Sequence, residues 1–456
     1  MFLYSTSMMS TEHSLSAGFG SPAAAPAASR GRGAVTNVRH RFEQTEREAF
    51  DDGWFGGDHD APAAFDVSLD DIQDEPRRLP ASDDPEGGED AHPAVSAAAL
   101  PAGASPEAVG LPPAATQRYI PVVAAPRTTV KPEQARKLLS RNDSPDIPFD
   151  VAVNPYRGCE HGCVYCYARP THAYLGYSPG LDFETRLVAK ANAVQALRAE
   201  LARPGYKVSP INIGSATDVY QPIERTWRLT RGLLELMVET GHPLTLVTKN
   251  SLVERDLDLL TTLARERLVT VFISITTLDA DMARTLEPRA SAPWRRVETV
   301  RKLAEAGVPV GVLVAPVIPF INDESMEQIL EAAAGAGACS ASYTVVRLPW
   351  EVKEVFETWL HTHFPDRAQR VLHRIEDMRG GKRNDSSFDT RMRGTGIWAD
   401  LLRQRFQVAA RNLGLAGWRP ELAIDRFVPP APAARRARAS ASEAARQAGQ
   451  MALFDE

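Results

Sequence analysis

Three of the four cysteines in the chain, Cys159, Cys163 and Cys166, fall together in NPYRGCEHGCVYCYARPTH at 154–172. A Cys-x3-Cys-x2-Cys run presents three thiolates to one metal centre, and thiolates are the preferred ligands of iron–sulfur clusters. Three ligands on a four-iron cluster leave one iron open, which is what chemistry at a cluster requires. Gly158 and Gly162 let a short loop curl around such a centre. Zinc sites are more often built from two-ligand knuckles, and the x3/x2 triplet departs from that pattern. A zinc site with Cys339, His161 or His172 as fourth ligand is the alternative that the residues leave open. A secreted disulfide framework would spread its cysteines along the chain. The clustering instead points to metal in a reducing compartment, so a cytoplasmic protein is expected.

The elements able to position this loop begin near Tyr119, where β-branched runs start to alternate with amphipathic ones. Strands are expected at FDVAVNP (149–155), PINIGSA (210–216), PLTLVTK (243–249), VTVFISI (269–275), VPVGVLVAP (308–316) and SYTVVRL (342–348). VAKANAVQALRAEL, TRGLLELMVETG and WRRVETVRKLAEAG read as intervening helices, the last two ending in a C-cap glycine. Repeated βα units imply a parallel sheet, either an incomplete (β/α)6 barrel or an open doubly wound sheet. The cysteine loop leaves the C-terminal end of the first strand, where α/β barrels keep their active sites. Past Leu348, helices are expected in WEVKEVFETWLHTHF, RAQRVLHRIEDM and IWADLLRQRFQVAARNLG.

The triplet in this strand–loop setting, with Tyr165 just before the third cysteine, resembles the radical SAM superfamily. The surrounding NPYRGCEHGCVYCYARPTH is similar, more narrowly, to the bacterial branch related to spore photoproduct lyase. The resemblance covers roughly 119–420. It implies an α/β fold, a partial (β/α)6 TIM-type barrel of the radical SAM kind, with a helical C-terminal extension. It implies a [4Fe–4S] cluster and S-adenosylmethionine (SAM) as cofactors, and a reducing partner such as flavodoxin or ferredoxin. In that superfamily the open iron chelates SAM, and one electron frees a 5′-deoxyadenosyl radical that abstracts hydrogen from substrate. By the resemblance Tyr165 helps seat the adenine. Ser215, Thr217 and Asp218 in GSATDVYQPIE meet the methionyl part, Asp218 accepting from its ammonium. Lys249 faces the carboxylate, Ser274 the ribose, and Glu287 and Arg289 in LEPRASAPWRR face SAM or substrate. Asn322 and Arg347 are weaker candidates on the substrate side. One departure stands out. Spore photoproduct lyase relies on a hydrogen-donor cysteine near the second strand, and INIGSATD has none, so thymine-dimer splitting by that relay is not expected.

The chain of 456 residues has a net charge of −6, unevenly spread: residues 1–118 hold 8 Lys/Arg and 19 Asp/Glu, and the remainder has a net charge of +5. That acidic, Pro/Ala-rich stretch lacks the apolar periodicity needed to offset ordering entropy. It reads as a disordered tail that folding and chemistry can spare, ahead of a core at 119–348 and helices at 349–428. No apolar run reaches the ~18 residues of a membrane span, and MFLYSTSMMS lacks the basic start of a signal peptide. Residues 429–456 read as a second flexible tail, ending in QMALFDE. There Gln450, Leu453 and Phe454 fit the Gln-x-x-Leu-Phe pattern for docking on the DNA sliding clamp. With Arg391 and Arg393 in TRMRGTGIW, this tilts the expected substrate toward a nucleic-acid lesion or modified base. A radical enzyme modifying protein or peptide, and a non-catalytic zinc-stabilised nucleic-acid or clamp-associated module, are the alternatives.

Overall fold

The computed structural model describes residues 31–43, 126–417 and 421–431. The chain divides into two units, Met1–Gln44 with Ile120–Glu456 and Thr45–Tyr119, and every described residue lies in the first. The QMALF segment is outside the described residues.

Among the described residues ten strands form two sheets: β1 (Thr129–Glu133), β2 (Leu139–Arg141), β3 (Val151–Val153), β4 (Tyr156–Arg157), β5 (Arg186–Lys190), β6 (Ile211–Ile213), β7 (Leu244–Thr248), β8 (Val269–Ser274), β9 (Val310–Val317) and β10 (Ser340–Val345). The larger sheet runs β10-β9-β8-β7-β6-β3-β2. The six strands from β3 to β10 are parallel, and β2 closes one edge antiparallel to β3. They are the six expected from sequence. Central parallel strands are covered on both faces and so read as continuous apolar runs; β3 and β6 are wholly buried. The strands neighbour one another in chain order with no reversal, whereas a doubly wound sheet reverses at a switch point. Among the described residues the sheet does not close into a barrel. The fold is mixed α/β.

Helices Ala193–Leu201, Leu229–Thr240, Leu257–Arg265, Pro293–Glu305 and Met326–Gly335 precede β6, β7, β8, β9 and β10 in turn. Each lays an apolar stripe on the sheet. In the second, Leu233, Leu234, Leu236 and Met237 are fully buried, each contributing about 1.5–3 kcal/mol. The outer edge of β10 is covered, with Ala341 N–H donating to Leu415 O and Val345 N–H to Met392 O, which blunts edge-to-edge pairing. Helices Val352–His363, Pro365–Asp377 and Gly396–Asn412 form the expected C-terminal extension. Among the described residues no helix is long and apolar enough to cross a membrane.

Two features differ from the sequence reading. A small sheet, β1-β5-β4, flanks the cysteine loop. And residues 31–43, expected within a disordered tail, are a strap packed on the body. Ala34, Val35 and Val38 are buried, as is Arg32. The strap's backbone donors and guanidinium find acceptors far along the chain, which offsets the entropy of ordering it.

The cysteine loop and its surroundings

The loop is built from β3 outward. Asn154, at the end of that strand, donates from Nδ2 to Ser215 Oγ (3.0 Å) and accepts Ala216 N–H on Oδ1 (2.8 Å), fastening the strand ends of β3 and β6 together. The chain then turns through Gly162, whose φ of +69° is a left-handed conformation that glycine adopts without strain. Cys159 N–H donates to Phe183 O (2.9 Å) and Val164 N–H to Leu286 O (3.1 Å). Cys159 and Cys163 are buried, Cys166 half-buried, and all three thiols are free. Burial pushes the Cys159 thiol well up from its ordinary value, helped by Asp218 and the other two cysteines. Burial likewise raises Cys163, with Glu287 adding to it. A bound metal reverses that preference by favouring thiolate. Cys339 precedes β10 and donates to Val310 O (3.1 Å). In a parallel sheet that is the opposite end from the loop after β3, so Cys339 is not a ligand partner for the triplet.

Behind the loop lies a buried ion pair that the sequence reading missed. Arg169 and Glu184 are both fully buried and directly paired. Arg169 also donates to the carbonyls of Cys163 (2.9 Å) and Gly162 (3.1 Å), so its guanidinium holds the loop by its backbone. Glu184 receives the strap: Gly33 N–H (3.0 Å) and Ala34 N–H (2.8 Å) donate to its two oxygens. Arg32 donates to Glu184 O, Pro126 O and Thr128 Oγ1. The fit is tight, because a Cβ on Gly33 would lie 1.7 Å from Gly162 O. Further along, Arg41 pairs with Glu351 (3.0 Å).

The predicted cofactor residues divide into three groups. Tyr165, Lys249, Ser274 and Glu287 converge. Tyr165 donates its hydroxyl to Glu287. Lys249 Nζ lies 2.6 Å from Ser274 Oγ, 3.8 Å from Glu287 Oε1 and 5.9 Å from the Tyr165 ring centroid. Thr276 and Arg296 complete this nest, both bound to Glu287. Burial alone would raise the Glu287 carboxyl, but Arg296 and Lys249, with the hydroxyls of Thr276 and Tyr165, bring it down to about 2.

Asp218 belongs to a different network. It accepts from Tyr220 N–H, Thr248 Oγ1 and Lys249 N–H, and His161 Nδ1 is 3.2 Å away. Asn250 Nδ2 lies 3.0 Å from His161 Nε2, which holds the ring with Nδ1 turned to the carboxylate. Despite its burial, Asp218 is brought down to about 2, chiefly by His161. Its carboxylate ties the cysteine loop to β7. Of its neighbours, Ser215 is engaged by Asn154, whereas Thr217 Oγ1 is buried with no partner among the described residues.

The third group is engaged in other contacts. Arg289 pairs with Glu160 (3.0 Å), the residue after Cys159, and its backbone N–H donates to His161 O (3.3 Å). Asn322 satisfies backbone only, at Ile318, Thr276 and Pro316. Arg391 is bound by Asp146 through two hydrogen bonds, which neutralises one of the two cations singled out in TRMRGTGIW. Arg347 sits beyond β10 beside Tyr167.

Residues 153–333 match the family model described as the Radical SAM superfamily. An uncharacterized protein of Mycobacterium tuberculosis is 36% identical over 226 residues, covering 49% of this chain and 66% of its own length, slightly under two thirds. An uncharacterized protein of Methanocaldococcus jannaschii is 26% identical over 190 residues, 42% of this chain and 68% of its own. A solved spore photoproduct lyase mutant aligns with a TM-score of 0.44 at 17% identity, over 64% of this chain and 82% of that one. The matched family implies a [4Fe–4S] cluster and SAM. The donor set fits both: three free cysteines on one loop, and the orphaned Thr217 hydroxyl and the Lys249 ammonium on the strand ends next to it. Among the described residues no three His, Cys, Asp or Glu side chains group to chelate a single ion.

Proposed function

We propose that the chain is a radical SAM enzyme that holds a [4Fe–4S] cluster on Cys159, Cys163 and Cys166 and acts on a nucleic-acid lesion or modified base. The observation that carries this reading is the placement of three free thiols, two buried and one half-buried, on one loop after β3, inside the matched domain. The sequential six-stranded order supports a partial (β/α)6 barrel, with the loop at the strand ends where such folds keep their chemistry. When bound, the cofactors supply one-electron cleavage of SAM to a 5′-deoxyadenosyl radical. The chain's residues bind, orient and exclude water. Lys249 offers a cation, held in place by Ser274 and Glu287, to a carboxylate at the strand ends. Tyr165, its hydroxyl tied down, walls off the cluster side. Thr217 offers a hydroxyl with no competing partner among the described residues. A flavodoxin- or ferredoxin-type reductant and a cytoplasmic site of action belong to the same proposal.

Reduced, anaerobically reconstituted protein should release 5′-deoxyadenosine and methionine from SAM without substrate, read by chromatography. A sample with full iron that makes neither overturns the reading. Lys249→Ala should weaken SAM binding about tenfold or more, the loss of one hydrogen bond to a charged group (~1.5–3 kcal/mol). SAM affinity equal to the unaltered protein's would remove Lys249 from the cofactor site.

The nucleic-acid part of the reading also draws on QMALF as a clamp-docking segment. A labelled peptide covering 445–456 should bind purified sliding clamp with a dissociation constant of about a micromolar, measured by fluorescence anisotropy. Leu453→Ala/Phe454→Ala should abolish it. Equal binding by both peptides would count against the segment.

A further inference from the structure

Among the described residues one guanidinium at the C-terminal end of the sheet is paired with no carboxylate. Arg347 follows β10 by two residues and is half-buried. Its Nε is buried with no hydrogen-bond partner, and its Nη1 reaches only Met392 Sδ at 3.5 Å. Among the described residues it forms no ion pair. Desolvating a cation without a counter-charge is costly, so such groups are ordinarily paired. Nearby cations are already committed. Arg391 is held by Asp146, and Arg379 donates to the carbonyls of Thr390, Arg391 and Val346. Asp146 is spent on Arg391 and acts on Arg347 only from a distance, so the Arg347 guanidinium keeps no direct counter-charge among the described residues.

What Arg347 faces gives the ligand its character. Its guanidinium carbon lies 5.9 Å from the ring centroid of Tyr167, the residue after Cys166. Tyr167 is 53% exposed although its hydroxyl is fixed on Ser215 O, so about half of its surface is held in place and left open by the described residues. A second exposed ring, Phe388, lies under Arg391, 4.6 Å from its guanidinium carbon. A forked guanidinium suits an oxyanion with two acceptor oxygens. An exposed aromatic beside it is the platform on which unpaired bases stack in single-stranded nucleic acid. An acidic peptide would satisfy the charge and leave the ring unused.

We propose that Arg347 and Tyr167 form a substrate subsite for unpaired nucleic acid, Arg347 taking a backbone phosphate and Tyr167 stacking on the adjoining base next to the cysteine loop. This rests on the nucleic-acid reading of the site. SAM also carries an oxyanion, its carboxylate, so both ligands have to be measured.

The test uses the full chain, reconstituted anaerobically, with a short fluorescein-labelled single-stranded DNA of mixed sequence titrated between about 50 and 200 mM salt. Arg347→Gln should weaken binding about tenfold and shrink the slope of log K against log salt by about 0.7, one phosphate contact on a single strand. Arg347→Lys should keep the slope and recover part of the affinity, since the charge remains and the fork is lost. Tyr167→Ala should weaken binding about tenfold with the slope unchanged. SAM affinity should stay within about twofold of the unaltered protein in Arg347→Gln. Oligonucleotide affinity and slope unchanged in Arg347→Gln, with the unaltered protein binding normally, would overturn this inference alone. So would a tenfold loss of SAM affinity with DNA binding intact, which would give Arg347 to the cofactor. An unaltered protein that binds no oligonucleotide would bring down the nucleic-acid reading, and this subsite with it.

Discussion

Cys159→Ala, Cys163→Ala and Cys166→Ala are each expected to lose essentially all stable iron after anaerobic reconstitution, whereas Cys339→Ala keeps the full complement. The three thiols share one loop, and burial opposes their ionisation in the absence of metal. Binding a cluster there turns three unfavourable thiolates into ligands at once, so losing one forfeits a large share of the binding energy. No nearby thiol can substitute, since Cys339 is at the far end of β10 bonded to Val310 O. Iron and sulfide quantification, with the visible absorption of the cluster, gives the answer. Full iron in any triplet variant would refute the assignment.

Glu184→Ala is expected to destabilise the protein by about 3–5 kcal/mol, the cost of stranding a buried partner of an ion pair. Arg169 would keep its carbonyl contacts but lose its counter-charge, and two strap N–H groups would be orphaned. That is a sizeable fraction of the 5–15 kcal/mol that holds most domains together. Gly33→Val should act from the other side, because its side chain meets Gly162 O and must push the strap off the loop. Deleting 1–43 should resemble these variants, contrary to the expectation that the first 118 residues are dispensable. Thermal unfolding followed by circular dichroism, with iron content alongside, measures all three. Wild-type melting and iron in Glu184→Ala would show that the strap is ornamental.

The difference between what was and was not legible in sequence is physical. The six parallel strands announced themselves because buried central strands must be apolar and β-branched, as in VTVFIS and INI. β4 has two residues, and β1, TVKPE, is mostly exposed with a proline and two charges, so neither has a local apolar pattern. The cysteines were readable from spacing alone. The role of Asp218 was not: nothing in GSATD tells that His161, fifty-seven positions earlier, would come to face it. The strap was hidden for a similar reason, since its acceptor Glu184 is 150 residues away. One trace was available. Within the acidic stretch, GRGAVTNVRHRF is locally basic and carries its own valines.

The reach of that strap has a kinetic consequence. Its contacts join residues 150 apart at Glu184 and 310 apart at Glu351, among the most non-local in the molecule. The entropy of closing so long a loop has to be met before the contacts repay it, which places strap docking late on the folding route. Interactions made after the transition state govern how fast the native state opens and leave the folding rate little changed. Loosening the strap should therefore show itself as faster unfolding in denaturant-jump experiments, with refolding of the sheet proceeding at its usual rate.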